Sequence, residues 1–167
     1  TFKLDRGYQI KDRPLAYAAS EFIELIKELH KKYRLLLIED PLEENDWTSW
    51  SQLTREIGDD ALIVGDDLLV TNPTMLTRAI SEKACSAILC KPNQIGTLSE
   101  FMAVVVLAKK NDIKINVSHR SGETTDTFIA DLAVAIQSDY VKFGAPARGE
   151  RVAKYNRLLQ IESELFP

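Results

Sequence analysis

Residues 62–91 read LIVGDDLLVTNPTMLTRAISEKACSAILCK, and this stretch decides the fold class. Its two continuous apolar runs, Leu62–Gly65 and Ala87–Cys90, are typical of β-strands that are covered on both faces. Between them, Asn72-Pro73 predicts the start of a helix, because asparagine caps a helix N-terminus and proline suits the first helical turn. Strand, helix and strand in this order predict a parallel β-α-β unit with a right-handed crossover.

The same alternation continues on both sides of this unit. Further apolar runs predict strands at Leu35–Glu39, Ile113–Val117 and Tyr140–Phe143. Apolar residues three and four positions apart predict helices over Ser20–Tyr33, from Trp47 to Ile57 with Gly58 as the stop, after a capping box of Thr97 and Glu100, from Phe128 to Ile136, and from Val152 onward. One helix followed by five strand–helix units predicts a parallel α/β sheet.

The composition is that of an ordinary globular domain. The 167 residues are 45% hydrophobic and 28% charged, which excludes disordered and collagen-like chains. The net charge of −4 does not indicate a nucleic-acid-binding face, which is usually basic. No apolar stretch reaches the roughly 20 residues of a membrane-spanning helix, and the start of the chain has no signal-peptide pattern.

Cys85 and Cys90 are predicted to be buried, reduced thiols, which fits a cytoplasmic protein. His30, in the polar end of the first predicted helix, is predicted to be solvated.

Each predicted strand ends in an ionisable side chain where the apolar run stops. These residues are Glu39, Asp66, Lys91, His119 and Lys142, and successive members are 23 to 28 residues apart, which is the length of one strand–helix unit. In parallel sheets and barrels, ligands bind at the carboxyl ends of the strands. Five successive units with an ionisable group at this position therefore predict a functional site.

The residue types indicate the chemistry of this site. Glu39 and Asp66 offer hard oxygen ligands on neighbouring strands, which suits Mg²⁺ with a phosphate or carboxylate substrate. Each of them alone is equally explained as a helix cap or half of an ion pair. Lys91 and Lys142 are candidate bases, because desolvation and nearby positive charge favour a neutral amine, and the alternative is a lysine that protects a strand edge. The run His119–Gly122 combines an imidazole, a guanidinium, a hydroxyl and a flexible backbone, which predicts an anion-binding loop.

Several runs of the sequence resemble the enolase (phosphopyruvate hydratase) family, in order, from near residue 20 to residue 165. The runs are Leu37-Ile38-Glu39-Asp40-Pro41, Gly65-Asp66-Asp67-Leu68 with Thr71-Asn72-Pro73, Lys91-Pro92-Asn93-Gln94-Ile95-Gly96-Thr97, Ser118-His119-Arg120-Ser121-Gly122-Glu123-Thr124 with Asp126–Asp131, and Lys142-Phe143-Gly144-Ala145-Pro146 with Glu150-Arg151 and Lys154-Tyr155-Asn156. Ser118–Glu123 and Asn93–Gly96 distinguish enolases from the racemases and cycloisomerases of the same superfamily.

This resemblance implies an α/β fold of the TIM-type (β/α) barrel class, incomplete here because the sequence holds about five of the eight strand–helix units of such a barrel. Residues 1–167 are then the carboxyl-terminal portion of the enolase barrel domain, without the first barrel strands and the amino-terminal domain. The implied activity is the glycolytic, Mg²⁺-dependent and reversible dehydration of 2-phosphoglycerate to phosphoenolpyruvate. The resemblance further implies two Mg²⁺ ions in the complete enzyme.

The resemblance also implies a role for each site residue. Glu39 and Asp66 are two of the three carboxylate ligands of Mg²⁺, and Lys91 is the base that removes the proton next to the substrate carboxylate. The residues implied to bind substrate are His119, Arg120 on the phosphate, Ser121, and Lys142 on the carboxylate. Two metal ions, Arg120 and Lys142 together would stabilise a dianionic intermediate.

Three departures from the family bear on what the chain does alone. Pro92 follows the base lysine where family members commonly have an aliphatic residue, and proline fixes φ and lacks an N–H, which predicts a changed orientation of Lys91. No third metal carboxylate is found, because Asp5 and Asp12 end no apolar run and Tyr8–Lys11 is predicted to be a hairpin or loop. The general acid is also missing, and neither residue of the pair Glu43-Glu44 is assigned to that role.

We therefore expect the chain alone to be inactive, since general acid–base catalysis is typically worth about 10²–10⁴ in rate. The expected partners are the missing enolase half or a second copy of the chain, in addition to the small-molecule substrate, and neither nucleic acid nor a membrane span is expected. The alternative function is that of a non-catalytic enolase-like scaffold or binding protein.

Overall fold

The structure is a computed structural model, and it describes residues 2–4, 7–11 and 15–166. The chain begins with three short antiparallel strands, β1 (Phe2–Leu4), β2 (Gly7–Gln9) and β3 (Ala16–Tyr17). Tyr8 on β2 stacks on Phe22 of the first helix with ring centroids 4.8 Å apart, which attaches this small sheet to the main body. Residues 8–11 were predicted to be a hairpin or loop, and the first two of them lie in β2, which pairs antiparallel with both β1 and β3. Asp5 and Asp12 lie outside the described residues.

Five parallel strands form the main sheet, and helices follow each of them. In chain order the elements are α1 (Ala19–Tyr33), β4 (Leu37–Glu39), α2 (Trp47–Ile57), β5 (Leu62–Gly65), α3 (Pro73–Glu82), β6 (Ala87–Cys90), α4 (Pro92–Ile95), α5 (Leu98–Lys110), β7 (Lys114–Ser118), α6 (Phe128–Ala135), β8 (Tyr140–Lys142) and α7 (Gly149–Leu165). The sheet order is β4-β5-β6-β7-β8, so each strand lies beside the next one along the chain. This confirms the predicted alternation, and every predicted strand boundary is within two residues of the observed one.

Local sequence signals set most helix ends. The side chain of Asn72 accepts a hydrogen bond from the backbone N–H of Thr74 at 2.8 Å, as predicted for a cap. Thr97 caps α5 by accepting from the N–H of Glu100 at 3.2 Å, but the Glu100 carboxylate accepts from the Thr97 hydroxyl, so the predicted capping box is only half formed. Helix α7 begins at Gly149, three residues before the predicted start at Val152. The apolar pattern missed these three residues because the first turn of the helix is polar. In the part of the chain that the structure describes, no helix has the length and apolar character needed to cross a bilayer.

His30 lies in the last turn of α1, as expected, but it is not simply solvated. It is half-buried, and its Nδ1 lies 3.1 Å from the carbonyl oxygen of Leu35. Arg34 adopts the left-handed conformation (φ 50°), which ends the helix and brings the following backbone to the imidazole ring. The expectation of a solvated histidine is therefore wrong.

Both faces of the central strands β5, β6 and β7 are largely buried, whereas the outer strands β4 and β8 are partly exposed. Alternate strand residues such as Ile63 and Ile88 pack against the helices, in a large core that also contains Trp50 and Phe101. The intervening residues Val64, Ala87 and Leu89 form a second cluster, because successive side chains of a strand point to opposite faces. Burial on two faces explains the continuous apolar runs of the sequence. Cys85 and Cys90 are buried and unbonded to each other, as predicted, and burial raises the pKa of each thiol to about 12.

The parallel sheet is curled into part of a barrel. Strands β4 and β8 are its outer members, and their carboxyl ends carry Glu39 and Lys142. Neighbouring strands are about 4.7–4.9 Å apart, so a flat sheet of this order would separate β4 from β8 by roughly 19 Å. Instead, Nζ of Lys142 lies 2.5 Å from Oε1 of Glu39. The five strand–helix units are thus an incomplete (β/α) barrel, since a closed barrel of this class has eight.

Candidate active site

The ionisable residues predicted from the strand ends gather at one edge of the curled sheet. A cavity of about 470 Å³ lies there, and its size is suitable for a small metabolite. Six of the seven predicted site residues line this cavity, together with three that were not predicted; the nine are Asp66, Asp67, Lys91, Gln94, His119, Arg120, Ser121, Lys142 and Arg151. Glu39 lines a neighbouring cleft with Glu43 and Glu44, and it reaches the cavity through its contact with Lys142.

Lys91 and Asp66 form a close ion pair. Nζ of Lys91 lies 2.6 Å from both carboxylate oxygens of Asp66, and the two side chains are only 13% and 10% exposed. Asp66 follows β5 and Lys91 follows β6, so the parallel pairing of these strands brings the two residues together. A carboxylate and an ammonium with little surrounding water are strongly coupled, and each holds the other in position.

Thr71 holds the backbone of Lys91. Its hydroxyl accepts the N–H of Lys91 at 2.9 Å and donates to Oε1 of Gln94 at 2.8 Å, and the residue is completely buried. Val70 and Thr71 both have positive φ, 42° and 55°, which β-branched residues rarely adopt. Such strain is typical of functional sites, where the surrounding structure compensates for it. Here it places the Thr71 hydroxyl between the loop after β5 and the loop after β6.

Pro92 is the first residue of α4. An N–H at this position has no acceptor within the helix, so proline, which lacks an N–H, is tolerated there. Lys91 before it is extended (φ −123°, ψ 105°), the conformation that a following proline favours. The ammonium of Lys91 still reaches Asp66, so with Pro92 in place the side chain is directed to the cavity.

Asp40 is a site residue that the sequence analysis missed. Its two carboxylate oxygens accept the N–H groups of Asp66 and Asp67, each at 2.8 Å, and so fix the loop that carries both. Burial raises the pKa of Asp40 to about 6, although these two N–H groups act in the opposite direction. Oxygens of Asp40, Asp66 and Asp67 come within 4.8 Å of one another, a separation that suits a metal ion. The available signal was the pair of consecutive acids in Glu39-Asp40 and in Asp66-Asp67.

The predicted anion-binding loop follows β7. Nδ1 of His119 is buried and has no hydrogen-bond partner among the residues that the structure describes. Burial lowers the pKa of His119, and the charge of Arg151 lowers it further, which favours the neutral imidazole. The guanidinium of Arg120 donates to Oδ1 of Asn93 at 3.3 Å, and Ser121 is exposed next to it.

Lys154 holds the loop after β7 in place through its ammonium group. It is completely buried, and its ammonium pairs with Glu123 at 2.6 Å and donates to the carbonyl oxygens of Thr124 and Glu150 at 2.9 and 2.8 Å. The loop after β7 is thereby fastened to the first turn of α7. The sequence analysis assigned no role to Lys154, although its position seven residues before Ile161 places it on the buried side of the helix.

The fold and the site together define a class of protein. A curled sheet of successive strand–helix units, with charged residues converging at the carboxyl ends of its strands, is a segment of a (β/α) barrel with the ligand site in the usual place for that architecture.

Comparison with known proteins identifies the family. Residues 1–166 match the family model described as "Enolase, C-terminal TIM barrel domain", and the chain belongs to this family. Among its relatives, a protein named Enolase from Beutenbergia cavernae is 50% identical over 164 residues, which are 98% of this chain and 38% of the relative. A protein named Enolase from a Nitratiruptor species is 49% identical over 165 residues, 99% of this chain and 39% of the relative. The chain therefore spans about two fifths of the length of the curated relatives it matches.

Proposed function

We propose that this chain is the carboxyl-terminal portion of an enolase barrel domain and supplies most of the active site of the complete enzyme. The proposed reaction is the reversible dehydration of 2-phosphoglycerate to phosphoenolpyruvate in cytoplasmic glycolysis. The observation that carries the proposal is the cavity at the strand ends, where Lys91 lies against Asp66 and Lys142 against Glu39 beside the loop of His119 and Arg120. The name Enolase of two relatives that are about half identical to the chain supports the same function.

The proton next to a carboxylate is very weakly acidic, and this determines what the residues have to do. Lys91, as the neutral amine, removes that proton from the substrate, and the hydroxyl on the neighbouring carbon leaves as water after the general acid, proposed below to lie outside this chain, has given it a proton. Lys142 holds the substrate carboxylate, while Arg120 binds the phosphate with its guanidinium fork and His119 and Ser121 complete the contact. These cations and donors are aimed at the negative charge that develops, and such preorganised electrostatic stabilisation is the usual largest contribution to catalysis.

Glu39 and Asp66 are the residues proposed to bind Mg²⁺, in agreement with their chemistry as hard oxygen donors. Asp66 already lies in the group of carboxylates that come within 4.8 Å of one another. When bound, Mg²⁺ supplies positive charge to the substrate carboxylate and makes its α-proton more acidic. In the structure described here, the ammonium groups of Lys91 and Lys142 neutralise these two carboxylates.

The third metal ligand and the general acid are proposed to come from a part of the enzyme outside residues 1–167. We therefore expect that the 167-residue chain alone forms no phosphoenolpyruvate. The outer strands β4 and β8 each have one neighbour among the described strands, and unpaired strand edges favour association. The missing half of the barrel is the proposed partner, whether it is on the same or another polypeptide.

The proposal is tested by following phosphoenolpyruvate formation, as a rise in absorbance, from 2-phosphoglycerate and Mg²⁺. The full-length gene product is compared with Lys91→Met, which removes the base and is expected to lower kcat by about 10²–10⁴. Lys110→Met is the matched control, because Lys110 is an exposed lysine at the end of α5, outside the cavity. An inactive full-length protein that is folded, or an unchanged kcat in Lys91→Met, contradicts the proposal and favours the non-catalytic scaffold.

A further inference from the structure

Two arginines and two lysines contribute to the same cavity, but only the lysines have acidic partners. Lys91 is paired with Asp66 and Lys142 with Glu39, at 2.6 and 2.5 Å. For Arg120 and Arg151, no carboxylate within ion-pair distance exists among the residues that the structure describes. The two guanidinium groups are thus the positive charge of the cavity that is left for a ligand.

The position of Arg151 depends on a glycine. Arg151 lies in the first turn of α7, and its side chain crosses over Gly144, two residues after Lys142. A Cβ atom on Gly144 would lie 2.5 Å from Cδ, 2.9 Å from Nε and 3.0 Å from Nη1 of Arg151. Gly144 also has a φ of 79°, which favours glycine. The absence of a side chain at residue 144 therefore opens the path by which the guanidinium reaches the cavity.

The surroundings of Arg151 are those of a ligand-binding group. It lines the cavity together with His119, Arg120 and Ser121. Among the charges that act on the pKa of His119, that of Arg151 has the largest effect. It is half-buried and donates no side-chain hydrogen bond to any residue in the described part of the chain. A half-buried guanidinium with all its donors free has hydrogen bonds to offer to an anion.

We propose that Arg151 is a second phosphate-binding residue, which acts with Arg120 on the phosphate of the substrate. This inference rests on the proposed function, because the anion is taken to be the phosphate of 2-phosphoglycerate. Guanidinium groups match phosphate oxygens with two parallel N–H donors, and two of them neutralise the two charges of a phosphate dianion. In this arrangement Lys91 and Lys142 act at the carboxylate end of the substrate. The competing explanation is that Arg151 is a packing group over Gly144.

The test measures the binding of inorganic phosphate to the full-length gene product by isothermal titration calorimetry. Arg151→Gln is expected to weaken phosphate binding about tenfold to a hundredfold, because this is the change in affinity that the loss of a hydrogen bond to a charged group typically causes. Arg151→Lys keeps the charge and the stem but loses the fork, so its affinity should lie between those of Arg151→Gln and the unchanged protein. Arg148→Gln is the control, because Arg148 is exposed three residues earlier and does not line the cavity.

Each outcome decides between phosphate binding and packing. Phosphate affinity that falls in both Arg151 variants but not in Arg148→Gln supports the proposal, and so does a raised KM for 2-phosphoglycerate with a smaller change in kcat. Phosphate affinity that is equal in Arg151→Gln and the unchanged protein, or absent in both, overturns it in favour of packing. Should Arg151→Gln fail to fold, Arg151→Lys gives the decision. Since the titration needs no turnover, a protein that binds phosphate through Arg151 but forms no phosphoenolpyruvate refutes the proposed function alone.

Discussion

The ammonium of Lys142 donates a hydrogen bond to Oε1 of Glu39 at 2.5 Å, between residues that are 103 positions apart in the chain. The two residues end the outermost strands of the parallel sheet, so their contact exists only because the sheet is curled. The same contact places a proposed metal ligand and a proposed substrate ligand in direct competition: Glu39 cannot give this oxygen to a cation while the ammonium occupies it.

This competition predicts opposite effects on Mg²⁺ affinity. Glu39→Gln should weaken Mg²⁺ binding by about tenfold or more, because ligand charge sets the affinity of hard cations. Lys142→Met should strengthen it, because the ammonium that neutralises Glu39 is gone. Both are measured by calorimetric titration of the full-length gene product with Mg²⁺ in the absence of substrate. Glu162→Gln, an exposed acid on α7 that lines neither the cavity nor the cleft of Glu39, is the control, and equal Mg²⁺ affinity in all four proteins would show that Glu39 is not a ligand.

Thr71 is predicted to position Lys91 through the hydroxyl that accepts the Lys91 N–H at 2.9 Å. Thr71→Val keeps the shape but leaves that buried N–H and Gln94 without a partner, which costs about 1–3 kcal/mol. We expect kcat of the full-length enzyme to fall about tenfold in Thr71→Val, with little change in KM, because Lys91 is held less firmly while the phosphate loop is intact. Thr71→Ser restores the hydroxyl and should recover most of kcat. A role limited to stability would lower the melting temperature and leave kcat at low temperature unchanged.

Lys154 is predicted to be the stabilising anchor of the loop after β7. Lys154→Met leaves Glu123, whose side chain is 19% exposed, without its partner, and breaking a buried ion pair from one side lowers the free energy of unfolding by up to about 3–5 kcal/mol. The double variant Lys154→Met with Glu123→Gln removes the unpaired charge and should regain part of that loss. Urea unfolding of the unchanged protein, Lys154→Met, Glu123→Gln and the double variant checks the prediction. Independent, additive losses in the two single variants would contradict a direct coupling of the pair.

The buried thiols predict a loss of stability at alkaline pH. Burial raises the pKa of Cys85 and Cys90 from 9.0 to about 12, so between these values the unfolded chain binds fewer protons than the folded one. The free energy of unfolding should therefore be unaffected by the thiols below about pH 9 and fall above it, by up to roughly 1.4 kcal/mol per pH unit for each thiol. The double variant Cys85→Ala with Cys90→Ala should have a shallower slope in urea unfolding between about pH 9 and pH 10.5. All other titrating groups are common to both proteins, so identical slopes would refute the prediction.

Much of the fold was predictable because its signals are local. Continuous apolar runs identified all five parallel strands to within two residues, and Asn72-Pro73 identified a helix start whose cap the structure confirms. Helix α4 was not predicted, since four residues that begin with Pro92 carry no apolar periodicity. The solvated state expected of His30 was wrong, because the turn at Arg34 that covers the ring depends on backbone conformation and leaves no pattern in the sequence.

The candidate site was predictable in its members and not in its contacts. Polar residues at strand ends identified four of the residues that line the cavity, because parallel strands place their carboxyl ends together, and the loop after His119 added Arg120 and Ser121. Asp40, Thr71 and Lys154 escaped notice because an acid beside a proline, a threonine in a loop and a lysine on a helix are all common on protein surfaces. Their importance lies in the buried hydrogen bonds that each of them makes.

The sequence by itself determined the order of strands and helices, the family, and the set of charged groups that meet at one edge of the sheet. Periodicity, caps and motifs are properties of neighbouring residues, and they survive without knowledge of the fold. Only the tertiary structure decided which charges are paired and which are left for a ligand. Ion pairing depends on distances of a few ångströms between distant parts of the chain, and the curl of the sheet sets those distances. It joins Lys142 to Glu39 and leaves Arg120 and Arg151 facing the cavity without an acid among the described residues.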